Sequence, residues 1–130
     1  MTDKLVSKNF HLSELTHSNT AVRLNIDNTP SELHIQHLEA ACVNLWQPAR
    51  DLLGKPMLIS SGYRSPKVNK SVGGSATSAH SIGYAIDFTC PNFGSPRKVA
   101  EHLVRELNGR GIKFDQLILE FPEKIGRAHV

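Results

Sequence analysis

The chain is poor in cysteine: Cys42 and Cys90 are the only two in 130 residues, and no Cys-x-x-Cys pair occurs. That excludes a thiolate-built structural zinc site and gives no sign of a disulfide framework. No apolar run approaches the roughly eighteen residues that a bilayer-spanning helix needs, so no membrane partner is expected. The first residues carry Asp3, Lys4, Lys8 and Glu14 and lack an apolar stretch, so no signal peptide is expected. Charge of one sign is also scarce, with 15 Lys and Arg against 12 Asp and Glu, a net charge of +3. There is no Lys/Arg stripe and no basic run interleaved with aromatics, so nucleic acid is not an expected partner. Repeats, low-complexity tracts and breaks in composition are all missing. One domain is therefore expected over residues 1–130, with residues 1–9 frayed.

The most informative stretch is Ser75–Phe88, SATSAHSIGYAIDF, in which His80 and Asp87 stand on either side of Gly83. Gly83 lets the chain turn, and the run Tyr84–Phe88 reads as a strand. Successive strand side chains point to opposite faces, so Ile86 and Phe88 take the core and Asp87 is directed away from it, toward a groove or solvent. A loop histidine and a strand carboxylate brought together by such a turn can give one nitrogen and one oxygen to a metal. Zinc takes such donors, and a catalytic site needs only three from the protein. The plainer reading is a loop histidine and a solvated carboxylate.

Elsewhere the patterns place elements. Phe10–His17 predicts a short helix. Thr29-Pro30-Ser31-Glu32 reads as a capping box, with threonine at N-cap and proline at the first helical position. Leu38, Ala41, Cys42, Leu45, Trp46, Ala49, Leu52 and Leu53 follow at helical spacing. Pro48 should kink that helix near Gln47, and Gly54 should stop it. His34 and His37 have a spacing that can hold a metal, although a solvated face is the simpler reading. Cys42 lies on the apolar stripe as a buried thiol, and Cys90 is expected near the Asp87 strand and its site. Met57–Ser61 predicts a strand, and Ser65-Pro66 opens a short helix to about Ser71. Ser95-Pro96 opens a third helix, with Val99, Ala100, Leu103, Val104 and Leu107 as its buried stripe. Ile112–Phe121 is the clearest strand, with Gln116, Ile118 and Glu120 on one face. This order predicts an α+β domain with a small, mainly antiparallel sheet flanked by helices.

Two ordered blocks carry a resemblance. Ser60-Ser61-Gly62-Tyr63-Arg64-Ser65-Pro66, Asn69 and Gly73-Gly74 form the first, and Ser78-x-His80-x-x-Gly83-x-Ala85-x-Asp87 the second. Together they resemble the zinc D-alanyl-D-alanine carboxypeptidase family, peptidoglycan metallopeptidases of the hedgehog/DD-peptidase fold that include phage endolysin domains. The resemblance runs from about Phe10 to Phe121. It implies a zinc ion held by His80 and Asp87, with Arg64 holding a substrate carbonyl or carboxylate and Ser78 contacting substrate at the mouth. It also implies hydrolysis of peptide bonds in peptidoglycan stem peptides, by a D-Ala-D-Ala carboxypeptidase or an endolysin-type endopeptidase. The alternative is a cell-wall peptide-binding module of a phage particle. A monomer is expected, acting on the cell wall after phage-type release or as part of a virion.

The family closes its site with a histidine in a final strand, usually beside a tryptophan and after a glutamate. Here the chain ends Ile125-Gly126-Arg127-Ala128-His129-Val130, and two readings stay open. His129 stands about where the third metal ligand belongs. The same peptide, IGRAHV, also reads like one translated frame of a common sequencing-library adapter, which would make residues 125–130 non-native. Glu120 is the nearest candidate for the general base, and Glu123 the second.

Overall fold

The computed structural model describes residues 3–112, 118–120 and 127–129, the last two stretches through their backbone. The amino-terminal stretch, expected to be frayed, instead carries β1 (Leu5–Ser7), paired antiparallel with β2 (Phe10–His11). The side chain of Gln47 holds this hairpin down. Its Oε1 accepts from Asn9 N at 2.9 Å and from Ser7 Oγ at 2.6 Å, and its Nε2 donates to Asn9 Oδ1 at 2.8 Å. Where one helix was expected over Phe10–His17, the chain gives β2 and then α1 (Leu12–Thr16). Next comes α2 (Asn19–Leu24), capped by Ser18 and stopped by Asn25 in the left-handed conformation.

The main helix starts two residues later than its capping box suggested. Thr29 N donates to Asp27 Oδ1, an Asx turn, which leaves Ser31 to cap α3 (Glu32–Ala41) by accepting from His34 N. Pro48 acts one turn early. Cys42–Trp46 widens into a π segment in which Gln47 N–H reaches back five residues to Cys42 O, and α4 (Gln47–Leu53) continues from there. Widening the turn ahead of a residue that has no N–H and crowds the preceding carbonyls is an alternative to a sharp kink. Gly54 then ends α4 at φ +65°.

A four-stranded antiparallel sheet follows, in the order β3-β4-β6-β5: β3 (Leu58–Ser61), β4 (Asp87–Thr89), β5 (Ile118–Glu120) and β6 (Arg127–His129). The short helix α5 (Pro66–Ser71) lies between β3 and β4, capped by Ser65 with Pro66 in its first turn. The long helix α6 (Pro96–Gly109) packs on α4 and on the β5–β6 side of the sheet. Val99, Leu103 and Leu107 are buried as expected, but Val104 is 40% exposed, so the buried stripe is narrower than the sequence suggested. Of the strand expected over 112–121, Ile118–Glu120 is a strand and Ile112 is not part of one, its N–H bonding back to Leu107 O, while the face assignment of Gln116 lies outside the described residues.

The core gathers Phe10, Leu15, Leu38, Cys42, Trp46, Leu53, Phe88, Leu103 and Leu107 between the helices and the sheet. Cys90, directly after β4, joins this core with its thiol directed at Lys55 O. Burial pushes the pKa of both thiols up.

Candidate metal centre

The two blocks of the resemblance, neighbours in the chain, are knit face to face. His80 Nδ1 lies 2.8 Å from Gly62 O, Arg64 N donates to His80 O at 3.0 Å, and Arg64 Nη2 reaches Ser78 Oγ at 3.4 Å. Glycines let helices outside the blocks pack closely against both of them. A Cβ on Gly62 would run into the backbone carbonyl of Leu15, which also accepts from Tyr63 N at 2.7 Å. Gly83 sits at φ +84°, and its added Cβ would lie 2.7 Å from His34 O. Both conformation and space therefore require glycine there. The loop between the blocks is shaped by Asn69, whose Nδ2 donates to Ser75 O at 2.6 Å and whose backbone carbonyl accepts from Gly74 N.

His80 lies on a 3₁₀ turn, Ala79–Ile82, and is only 2% exposed. Asp87 opens β4 and is 8% exposed, so the strand is covered on both faces. The expectation that Asp87 points toward a groove or solvent is corrected by its cover: the His80 turn lies on it. Ser60 bulges out of β3 between the Ile59–Phe88 and Ser61–Asp87 pairs and donates to Asp87 O at 3.2 Å. Such bulges re-aim side chains beside active sites.

His80 Nε2 and Asp87 Oδ1 stand 3.4 Å apart. A charge-assisted N–H···O hydrogen bond closes to about 2.7–2.9 Å. Two donors at about 2.0–2.1 Å from one tetrahedral ion lie about 3.3 Å apart, which is the spacing observed. The tautomer agrees. A carbonyl can only accept, so Nδ1 carries a proton toward Gly62 O, and Nε2 is the nitrogen on the Asp87 side that can give a lone pair to an ion. These two residues therefore fit a metal ion as a pair.

Among the described residues no group of three His, Cys, Asp or Glu side chains is gathered at one point. The backbone register nevertheless sets His129 opposite Asp87, with β6 held between β4 and β5. Glu120 stands opposite Arg127, two positions along β6 from His129. Glu123 lies outside the described residues.

Ser78 has a local duty as well as its nearness to Arg64: it caps the 3₁₀ turn, its Oγ accepting from His80 N at 3.2 Å. His34 and His37 do not pair around a metal. The His37 ring stacks on Tyr84 with centroids 4.2 Å apart, its Nδ1 lies 2.7 Å from Ile82 O, and His34 packs on Tyr63. They brace the His80 turn from outside. One residue that sequence reasoning missed is Asn28, whose side-chain amide bonds to Thr16 O, Tyr63 O and Ser65 N. In the sequence it belongs to no motif and stands at the end of Val22–Asn28, a stretch rich in Asn and Asp.

Hydrolysis at a single metal ion is the chemistry open to such an arrangement, and comparison with known proteins narrows the class. The family model described as Peptidase M15 matches residues 8–118, most of the chain, and the chain belongs to that family. Its members are peptidases and are generally zinc-dependent. No curated protein matches the chain. No helix among the described residues is long and apolar enough to cross a membrane.

Proposed function

We propose that this protein is a zinc-dependent hydrolase of peptide bonds in peptidoglycan stem peptides, acting as a D-Ala-D-Ala carboxypeptidase or an endolysin-type endopeptidase. The observation that carries the reading is the buried His80–Asp87 pair at ion-sharing distance, with its tautomer set by Gly62 O. His80 and Asp87 are the proposed ligands, and His129, at the register position opposite Asp87, is the candidate third. When bound, zinc supplies a Lewis acid for the scissile carbonyl and lowers the pKa of water toward ~7. Arg64 holds the substrate carbonyl or terminal carboxylate, because its guanidinium is always charged and forks onto oxygen pairs. Ser78, within reach of that guanidinium, contacts substrate at the mouth. Glu120 is the candidate base that takes the proton of the attacking water and returns it to the leaving amine. The protein is proposed to act as a monomer on the cell wall, after phage-type release or as part of a virion.

A second reading is a binding module that recognises cell-wall peptide without cutting it. It is favoured by the run Arg127-Ala128-His129, which lacks the tryptophan and the preceding glutamate of the family's closing motif. Zymography on purified cell walls, with and without chelator, separates the two. Clearing that the chelator abolishes supports the hydrolase, and metal-dependent binding without clearing supports the module.

A further inference from the structure

Arg64 is held in place from a part of the chain that neither motif block contains. One amide, the side chain of Asn28, bonds to both peptide groups that flank Arg64. Its Nδ2 donates to Tyr63 O at 3.1 Å, and its Oδ1 accepts from Ser65 N at 2.7 Å. The second Nδ2 hydrogen goes to Thr16 O at 2.8 Å, so the amide is anchored at the end of α1 as well. Three of its four hydrogen-bonding capacities are thus committed. The amide has one workable orientation, since flipping it would face oxygen to two carbonyls and NH₂ to an N–H. Arg64 N is separately tied to His80 O at 3.0 Å. The backbone on both sides of Arg64 is therefore fixed, and with it the direction in which the guanidinium leaves the chain toward Ser78. A residue kept only to finish a turn would need one of these bonds, not both flanking ones.

We infer that Asn28 is a positioning residue that sets the aim of Arg64 for substrate, a role that rests on the peptidase reading above. Displacement of a charge-stabilising group by about 1 Å can cost ~10²-fold in rate. Loss of the clamp is therefore expected to lower kcat about 10- to 100-fold, with zinc affinity changed less than threefold.

The test is a double-mutant cycle on the full chain with a peptide ending in D-Ala-D-Ala or cell-wall fragments as substrate. Asn28→Ala should lower kcat in the wild-type background and change it less than about twofold in an Arg64→Ala background. Asn28→Asp, which keeps the acceptor for Ser65 N but turns a carboxylate on two carbonyls, should behave the same way. It covers the case in which the alanine variant does not fold. Amide hydrogen exchange supplies a readout that needs no turnover: the Ser65 N–H should exchange faster in Asn28→Ala while α6 amides keep their protection. Equal losses of kcat in the two backgrounds, or an unchanged Ser65 exchange rate, would overturn the proposal. A wild-type protein that cuts no peptide would sink the hydrolase reading instead, and the exchange measurement would still decide whether Asn28 clamps the loop.

Discussion

If His80 and Asp87 share an ion, zinc should stabilise the folded chain by an amount that can be worked out beforehand. An ion that binds only the native state adds RT ln(1 + [L]/Kd), about 2.7 kcal/mol at a hundredfold excess over Kd. With an unfolding entropy of about 2.1 cal/mol/K per residue, 130 residues give about 0.27 kcal/mol/K. Zinc should therefore raise Tm by about 10 °C over the chelated protein. Removing one donor with His80→Ala or Asp87→Ala should collapse this shift: once Kd exceeds the zinc concentration about tenfold, only about 0.06 kcal/mol and less than 1 °C remain. The assay is a thermal melt followed by circular dichroism, each variant compared with itself plus and minus zinc. Any loss of packing in the variant then cancels. A zinc-induced shift in either variant as large as in the wild type would remove that residue from the ligand set. His129→Ala answers the remaining question in the same assay. Loss of the shift makes His129 the third donor, and a retained shift frees it of that role. The nucleotide sequence decides whether residues 125–130 are adapter-derived.

Arg64→Lys should keep zinc content and Tm but lower kcat/KM about 10- to 100-fold, because an ammonium cannot fork onto two oxygens; unchanged steady-state kinetics would refute its role. Gly83→Ala should cost about 2 kcal/mol or more by urea unfolding, the left-handed conformation accounting for about 1–2 kcal/mol and the crowding of His34 O for the rest. Gly54→Ala, also at positive φ but with open space around the added Cβ, should cost less, and equal losses would discount the crowding. Both buried thiols should resist a thiol reagent in the native protein and react once it is unfolded, and rapid labelling of either native thiol would contradict its burial.

What could be read from the sequence were the features written locally. His80, Gly83 and Asp87 lie within one short block, so their spacing carried both the turn and the donor pair. Ser65, Ser95 and Gly54 announced their helix ends through cap chemistry that needs no tertiary context. The failures have tertiary causes. Asp27 takes the Thr29 N–H that Glu32 would accept in a capping box, and Ser31 caps α3 instead. Asp87 was expected to face a groove or solvent because alternation assumes one open face, whereas the His80 turn covers that face. The hold of Gly62 O on the His80 ring and of Asn28 on the Arg64 loop left no trace, since both join segments distant in the chain through backbone atoms. Val104 sat at helical spacing yet lies beyond the edge of what α4 and the sheet cover.

The orientation of the His80 imidazole is borrowed from a carbonyl eighteen residues upstream. An ion seated there would leave at the pace at which the segment from Gly62 to His80 comes apart, rather than at the pace of ligand exchange in open water. Metal escape measured against a coloured trap would thus clock a partial opening of the molecule.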